Sequence, residues 1–174
     1  MGGQLTVGGS VHPLDPLLLR LGVAEARLGS VRPVIEQRAP WPAAAGGTDS
    51  SEAEWGPGEV LSHVSEMLQF WLGEMERVID GQDGPTAFGR LSTDQARALT
   101  IARDATLPPR ELFERIGSTL ERYRRRLVTL SEADLGRTGR HPVRGDFAVP
   151  GLIERFVVGH LEEHAEQLER SLGT

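Results

Sequence analysis

Apolar residues recur every three or four positions in four separate stretches of the chain, and that period predicts four long helices. The first follows Asp15-Pro16, an N-cap and a first-turn proline, and carries Leu17, Leu18, Leu21, Ala24, Leu28, Val31 and Ile35 on one stripe. Pro33 falls inside that stripe, so a kink or break is expected there, because proline lacks a donor and its ring crowds the carbonyl four residues back. The second helix opens at Pro57, holds Val60, Val64, Met67, Trp71, Met75 and Val78 on one face, and stops at Gly81. The third follows Pro108-Pro109 with Leu112, Phe113, Ile116, Leu120, Tyr123, Leu127 and Leu130 in phase, and the fourth starts at Pro150 with Ile153, Phe156, Val157, Leu161 and Leu168.

The connections read differently. Pro40 to Pro57 is rich in proline, glycine and small residues without a period, hence a loop. Residues 81–107 hold a Gly/Pro cluster, a Ser92 to Gln95 capping-box pattern and a short helical piece reaching Asp104. A connection of that length can cross a bundle from end to end and leave the second and third helices parallel. Residues 131–149 begin with a short turn at Ser131 to Leu135 and continue in extended character, with no alternation long enough to predict a strand. The expectation is an all-α fold: a four-helix bundle with a long crossover between helices 2 and 3, as one domain over residues 14–174, behind a flexible N-terminal arm at residues 1–13.

Composition narrows the chemistry. With 174 residues, 39% hydrophobic and 25% charged, the chain describes an ordinary globular domain. Its net charge of −6 supplies no basic field for a phosphate backbone, so no nucleic-acid partner is expected. There is no cysteine, which removes disulfides, thiolate ligands and cysteine nucleophiles and leaves histidine and carboxylates as the only metal donors. The longest early apolar run, Leu17 to Leu19, is too short for a signal core or a membrane span, so no membrane association and a cytoplasmic location are expected. The opening MGGQLT fits only a loose acylation pattern and is set aside. Arg122, Arg124, Arg125 and Arg126 gather near the end of the third helix, where cations complement its dipole, and read as a solvated terminus.

Candidate chemistry lies in three histidines. His160 and His164 are one turn apart on the apolar strip of the fourth helix, and His63 lies at the margin of the inward face of the second. At about 1.5 Å per residue, His63 is roughly 9 Å from the N-terminal end of its helix, and the pair averages roughly 15 Å from the C-terminal end of theirs. Antiparallel packing brings them close to level. Three imidazoles meeting in a core match the His₃ set of an open catalytic site, with water or substrate in the remaining position. HLEEH at 160–164 also fits an inverted zinc-protease pattern with Glu163 as base, but only ten residues follow His164 and no distant downstream carboxylate can complete it. Paired Glu-x-x-His motifs of a di-iron bundle are absent, since Val60, Val157 and Leu161 occupy the required positions. Glu66 and Gln167 are candidates for orienting the rings, Gln167 being expected in solvent, and His141 is expected on a surface loop unless it approaches the open coordination position.

Trp55-Gly-Pro-Gly-Glu59 leading to His63-Val-Ser-Glu66, then Phe156-Val-Val-Gly-His160-x-x-x-His164-x-x-Gln167, resembles the DinB-like superfamily over about residues 14–172. The resemblance implies an up-down-down-up bundle, a divalent transition metal (zinc, nickel or iron) on His63, His160 and His164, and often a homodimer. Relatives with an assigned activity use the metal to hold a low-molecular-weight thiol, such as bacillithiol or mycothiol, for transfer or isomerisation. A thiol-dependent transferase acting on a small-molecule electrophile is therefore the leading expectation. Its rival is a non-catalytic stress or interaction protein, a dimeric bundle with a structural metal or none. The Pro33 break and the long loop before Trp55 depart from the family's smoother first hairpin.

Overall fold

A computed structural model describes residues 12–43, 52–82, 84–91 and 93–173, so the expected arm lies, except for its last two residues, outside the described part. The fold is mostly helical. Helix α1 spans Asp15–Arg38 and buries Leu17, Leu21, Ala24, Leu28, Val31 and Ile35, close to the stripe read from the sequence. It begins one residue early, with Leu14 in the capping position, and the Asp15 carboxylate accepts the His12 N–H at 2.9 Å. The expected break at Pro33 does not occur, and the helix continues to Arg38. Val31 and Ile35, on either side of the proline, are 2% and 0% exposed, so packing supports the turn across it, while Gly29, whose carbonyl loses its donor, is exposed to solvent.

Helix α2, Pro57–Asp80, is buried on more than one face and forms the centre of the molecule. It packs against α3 (Gln95–Asp104), α4 (Pro109–Leu127) and α7 (Gly159–Leu172). The N-cap of α3 is Asp94, whose side chain accepts the Arg97 N–H; Ser92, on which the predicted capping box rested, is outside the described residues. A one-turn helix, α5 (Glu132–Leu135), is closed by a capping box between Ser131 and Asp134.

Cross-helix pairs give the relative directions. Arg20 with Glu162 and Arg27 with Glu169 both join α1 to α7 in ascending order, so those two helices run the same way. The Tyr123 hydroxyl donates to the Leu68 carbonyl and Arg126 pairs with Glu76, so α2 and α4 also ascend together. By contrast, His63 meets His160 while Trp71 meets Phe156, which makes α2 and the last helical stretch antiparallel.

The all-α expectation is corrected by a small three-stranded sheet: β1 (Thr86–Ala87) runs parallel to β2 (Thr138–His141), which pairs antiparallel with β3 (Gly145–Ala148). Strands of two to four residues leave no room for an alternation to show in the sequence. Arg140 and Asp146 face each other across the hairpin and form an ion pair, and Gly145 makes the return at φ 82°. The sheet lies close on the end of α2 because Gly139 has no side chain: a Cβ there would come within 2.7 Å of both Phe88 and Val78.

The last helical stretch is interrupted. Helix α6 (Val149–Ile153) passes into a π-turn at Glu154–Val158 before α7, and the Gly159 N–H reaches back five residues to the Glu154 carbonyl. The extra residue of that turn sets the phase at which His160 and His164 leave it. Among the described residues no helix is long and apolar enough to cross a membrane.

Candidate metal centre

The three histidines predicted from the sequence come together. Ring centroids are 5.1 Å apart for His63 and His160, 4.8 Å for His63 and His164, and 4.7 Å for His160 and His164. His63 and His164 are buried at 1% and 4% exposure, and His160 is half-buried. One nitrogen from each ring and a carboxylate oxygen of Glu52 lie within 4.8 Å of one another. Glu52 belongs to a 3-10 turn, Glu52–Glu54, just before Trp55. The indole of Trp55 then meets the His63 ring edge-on at 5.4 Å.

Hydrogen bonds fix the proton on His164. The Gln167 amide N–H donates to the Glu52 carbonyl, which turns the amide oxygen toward His164 Nδ1 at 2.9 Å. That nitrogen therefore carries the hydrogen, and Nε2 is left with a lone pair. Nε2 is buried and has no hydrogen-bond partner among the described residues. A buried, unpaired ring nitrogen is costly unless something shares its lone pair, and a cation is one partner that does. The donor set, three imidazoles and one carboxylate, suits zinc, nickel or iron.

Burial depresses the basicity of all three rings. The His63 imidazole is held well below its ordinary range by desolvation, with the neighbouring histidines and Arg97 adding to the effect. Burial pushes His160 down to about 3, and it lowers His164 as well. Neutral imidazoles are the form that ligates metals.

Arginines, not visible in the sequence pattern, frame the cluster. Arg97 forms an ion pair with Glu52, lies over the Trp55 ring at 5.6 Å and places a guanidinium nitrogen 3.4 Å from His63 Nδ1. Since Arg97 can only donate, the His63 nitrogen it faces accepts, and the ring proton sits on Nε2, 3.3 Å from His160 Nε2.

Three sequence expectations are revised. Glu66 does not orient His63; it takes both terminal nitrogens of Arg90 at 2.6 Å, in a pair whose side chains are 14% and 12% exposed. Gln167 is not in solvent but holds His164. His141 is not on a surface loop: it lies in β2 at 6% exposure, stacked on Phe156 at 5.2 Å, with Nδ1 accepting the Val143 and Arg144 N–H groups. It stands outside the four-residue cluster but lines the same cavity.

That cavity, of about 500 Å³, opens onto His63 and His160. Its inner wall is apolar, with Met67, Trp71 and Phe156, and its rim carries Arg90, Arg97, Arg144 and Arg155 with Glu52 and Glu163. Glu52, Arg90 and Arg97 had no sequence signal, because each is held at the site through a contact between distant segments.

Comparison with known sequences matches the family model of the DinB superfamily to residues 27–168. No curated protein and no solved structure gave a match.

Proposed function

The chain belongs to the DinB superfamily, and from that premise we propose that it is a metal-dependent enzyme of the thiol-transferase kind. In this reading its divalent transition metal is held by His63, His160 and His164. The observation that carries the reading is the buried, unpartnered Nε2 of His164, on a ring that gathers with those of His63 and His160 and the Glu52 carboxylate. A divalent ion bound there lowers the pKa of a thiol or water and so supplies a nucleophile at neutral pH. The remaining work falls to the protein. Gln167 holds His164 in the ligating tautomer, Trp55 packs edge-on against His63, and the cavity beside His63 and His160 leaves space for a low-molecular-weight thiol and an electrophile. A cavity at the cluster favours this over a purely structural metal, which is normally closed off by its ligands. The cross-helix pairs support reading α1, α2, α4 and the last helix as an up-down-down-up bundle, with α3 and β1 forming the crossover. A homodimer, as the resemblance implies, belongs to the same proposal and is checked by sizing in solution.

The decisive experiment is metal analysis of the protein purified without an affinity tag in chelator-free buffer. The expected result is one divalent ion per chain, lost in His160→Ala. Absence of a stoichiometric ion from the unmodified protein would falsify the metal reading. Turnover with candidate thiols and an electrophile, dependent on that ion, then separates the enzyme from a non-catalytic bundle.

A further inference from the structure

The rim of the cavity is positive in a molecule whose net charge is −6. Four arginines and two glutamates line it. Two of those arginines are already committed, Arg90 to Glu66 and Arg97 to Glu52. Arg155 is 3.6 Å from Glu163, with side chains 48% and 64% exposed, a loose pair in high dielectric. The Arg144 side chain has no hydrogen-bond or ion-pair partner among the described residues.

Arg144 is also well placed. It sits at the tip of the β2–β3 hairpin, where its own N–H and that of Val143 donate to the buried His141 ring at 3.3 and 3.2 Å. The turn is thereby tied to the aromatic wall of the cavity, so the guanidinium stands at the mouth of a fixed shelf. On that shelf Trp71 and Phe156 are tilted against each other at 4.5 Å, and both are almost fully buried. Two of the exposed large apolar side chains, Leu91 at 52% and Val143 at 72%, line the same mouth. Apolar groups left in water beside a cavity mark a surface that a ligand covers.

We propose that the cavity takes a small organic anion, with the Arg144 guanidinium binding its carboxylate and the Trp71–Phe156 shelf with Val143 carrying its apolar body. This rests on reading the cavity as the substrate pocket of the proposed enzyme. Guanidinium offers the planar paired donors that a carboxylate accepts, and an otherwise acidic molecule needs a local positive group to draw an anion in.

The test uses benzoate, its neutral isostere benzamide and inorganic phosphate. Each is titrated into the full chain by tryptophan fluorescence and calorimetry, in both zinc-supplied and chelator-treated protein. Unmodified protein is compared with Arg144→Gln, Arg144→Lys and Arg125→Gln, the last altering an exposed α4 residue that does not line the cavity. Expected are benzoate binding about tenfold tighter than benzamide and a loss of about tenfold for benzoate, but not benzamide, in Arg144→Gln. Arg144→Lys should recover part of the loss, and Arg125→Gln should change nothing. Equal binding of benzoate and benzamide, or no effect of Arg144→Gln, overturns the proposal. Phosphate binding as tightly as benzoate overturns its organic half. Zinc uptake is measured on the same samples. Zinc bound with no Arg144 dependence sinks the anion site alone, whereas Arg144-dependent benzoate binding without zinc uptake sinks the metal reading alone.

Discussion

Arg97 faces two groups with opposite needs. Its ion pair holds the Glu52 carboxylate at the cluster, yet its guanidinium N–H points at His63 Nδ1 from 3.4 Å. If an ion is held through His63 Nε2, as proposed, the ring proton would move to Nδ1, and an N–H would then oppose an N–H. Arginine has no acceptor with which to relieve that opposition, so it would have to withdraw for an ion to be held there. Arg97→Gln supplies an amide oxygen in its place, which can accept the Nδ1 hydrogen as outer partners of ligating histidines usually do. We expect this substitution to tighten zinc binding by about tenfold, the lower end of what such partners contribute. Competition against a chromogenic chelator measures it, and affinity unchanged or weakened would show that Arg97 does not oppose the ion. Gln167 already fills the matching role for His164, whose Nδ1–H it accepts.

At the level of elements, the placement of α3 depends on a single missing side chain. Gly58, in the first turn of α2, faces the Ala105 carbonyl, and a Cβ there would lie 2.8 Å from that oxygen. Backbone on both sides cannot rotate away as a flexible side chain would. Gly22, midway along α1, has nothing within 4 Å of an added Cβ. Alanine at either position gains up to about 1 kcal/mol of helix propensity. Only at Gly58 is this opposed by overpacking, which costs about 1–3 kcal/mol. Gly22→Ala should therefore raise the melting temperature by about 2–4 °C, and Gly58→Ala should lower it or leave it short of that gain. A rise in Gly58→Ala equal to that of Gly22→Ala would mean that α3 is free to move off α2. The contact matters to the site because α3 carries Arg97, and the Ser62 hydroxyl, one residue before His63, donates to the Ile101 carbonyl on the same helix.

For the molecule as a whole, what could be read from the sequence divides along sequence distance. The periodicities of α1, α2 and α4 and the one-turn spacing of His160 and His164 are local, and they placed both the helices and the imidazoles. The sheet joins residues 86–87 to 138–148, Gln167 reaches back to Glu52, and Arg97 reaches both Glu52 and His63, so none of these could be seen from neighbouring residues. Convergence of distant segments also buries titratable rings, and this gives the fold a measurable pH dependence. Burial lowers the pKa of His63, His141, His160 and His164 in the folded chain. The unfolded chain titrates them near 6.5, so below that pH it binds protons that the folded chain refuses. Stability is then fully present above about 6.5 and falls with acidification, by up to about 1.4 kcal/mol per pH unit for each fully buried ring. Carboxylates held low by ion pairs, such as Asp104 and Glu162, lose their contribution only as pH approaches 4, so the window from 6.5 to 5 isolates the histidines. In chelator-treated protein, urea unfolding across that window should show a steeper loss for the unmodified chain than for His63→Leu, by about one imidazole's share. Equal slopes in the two proteins would mean that His63 is not held neutral in the folded core.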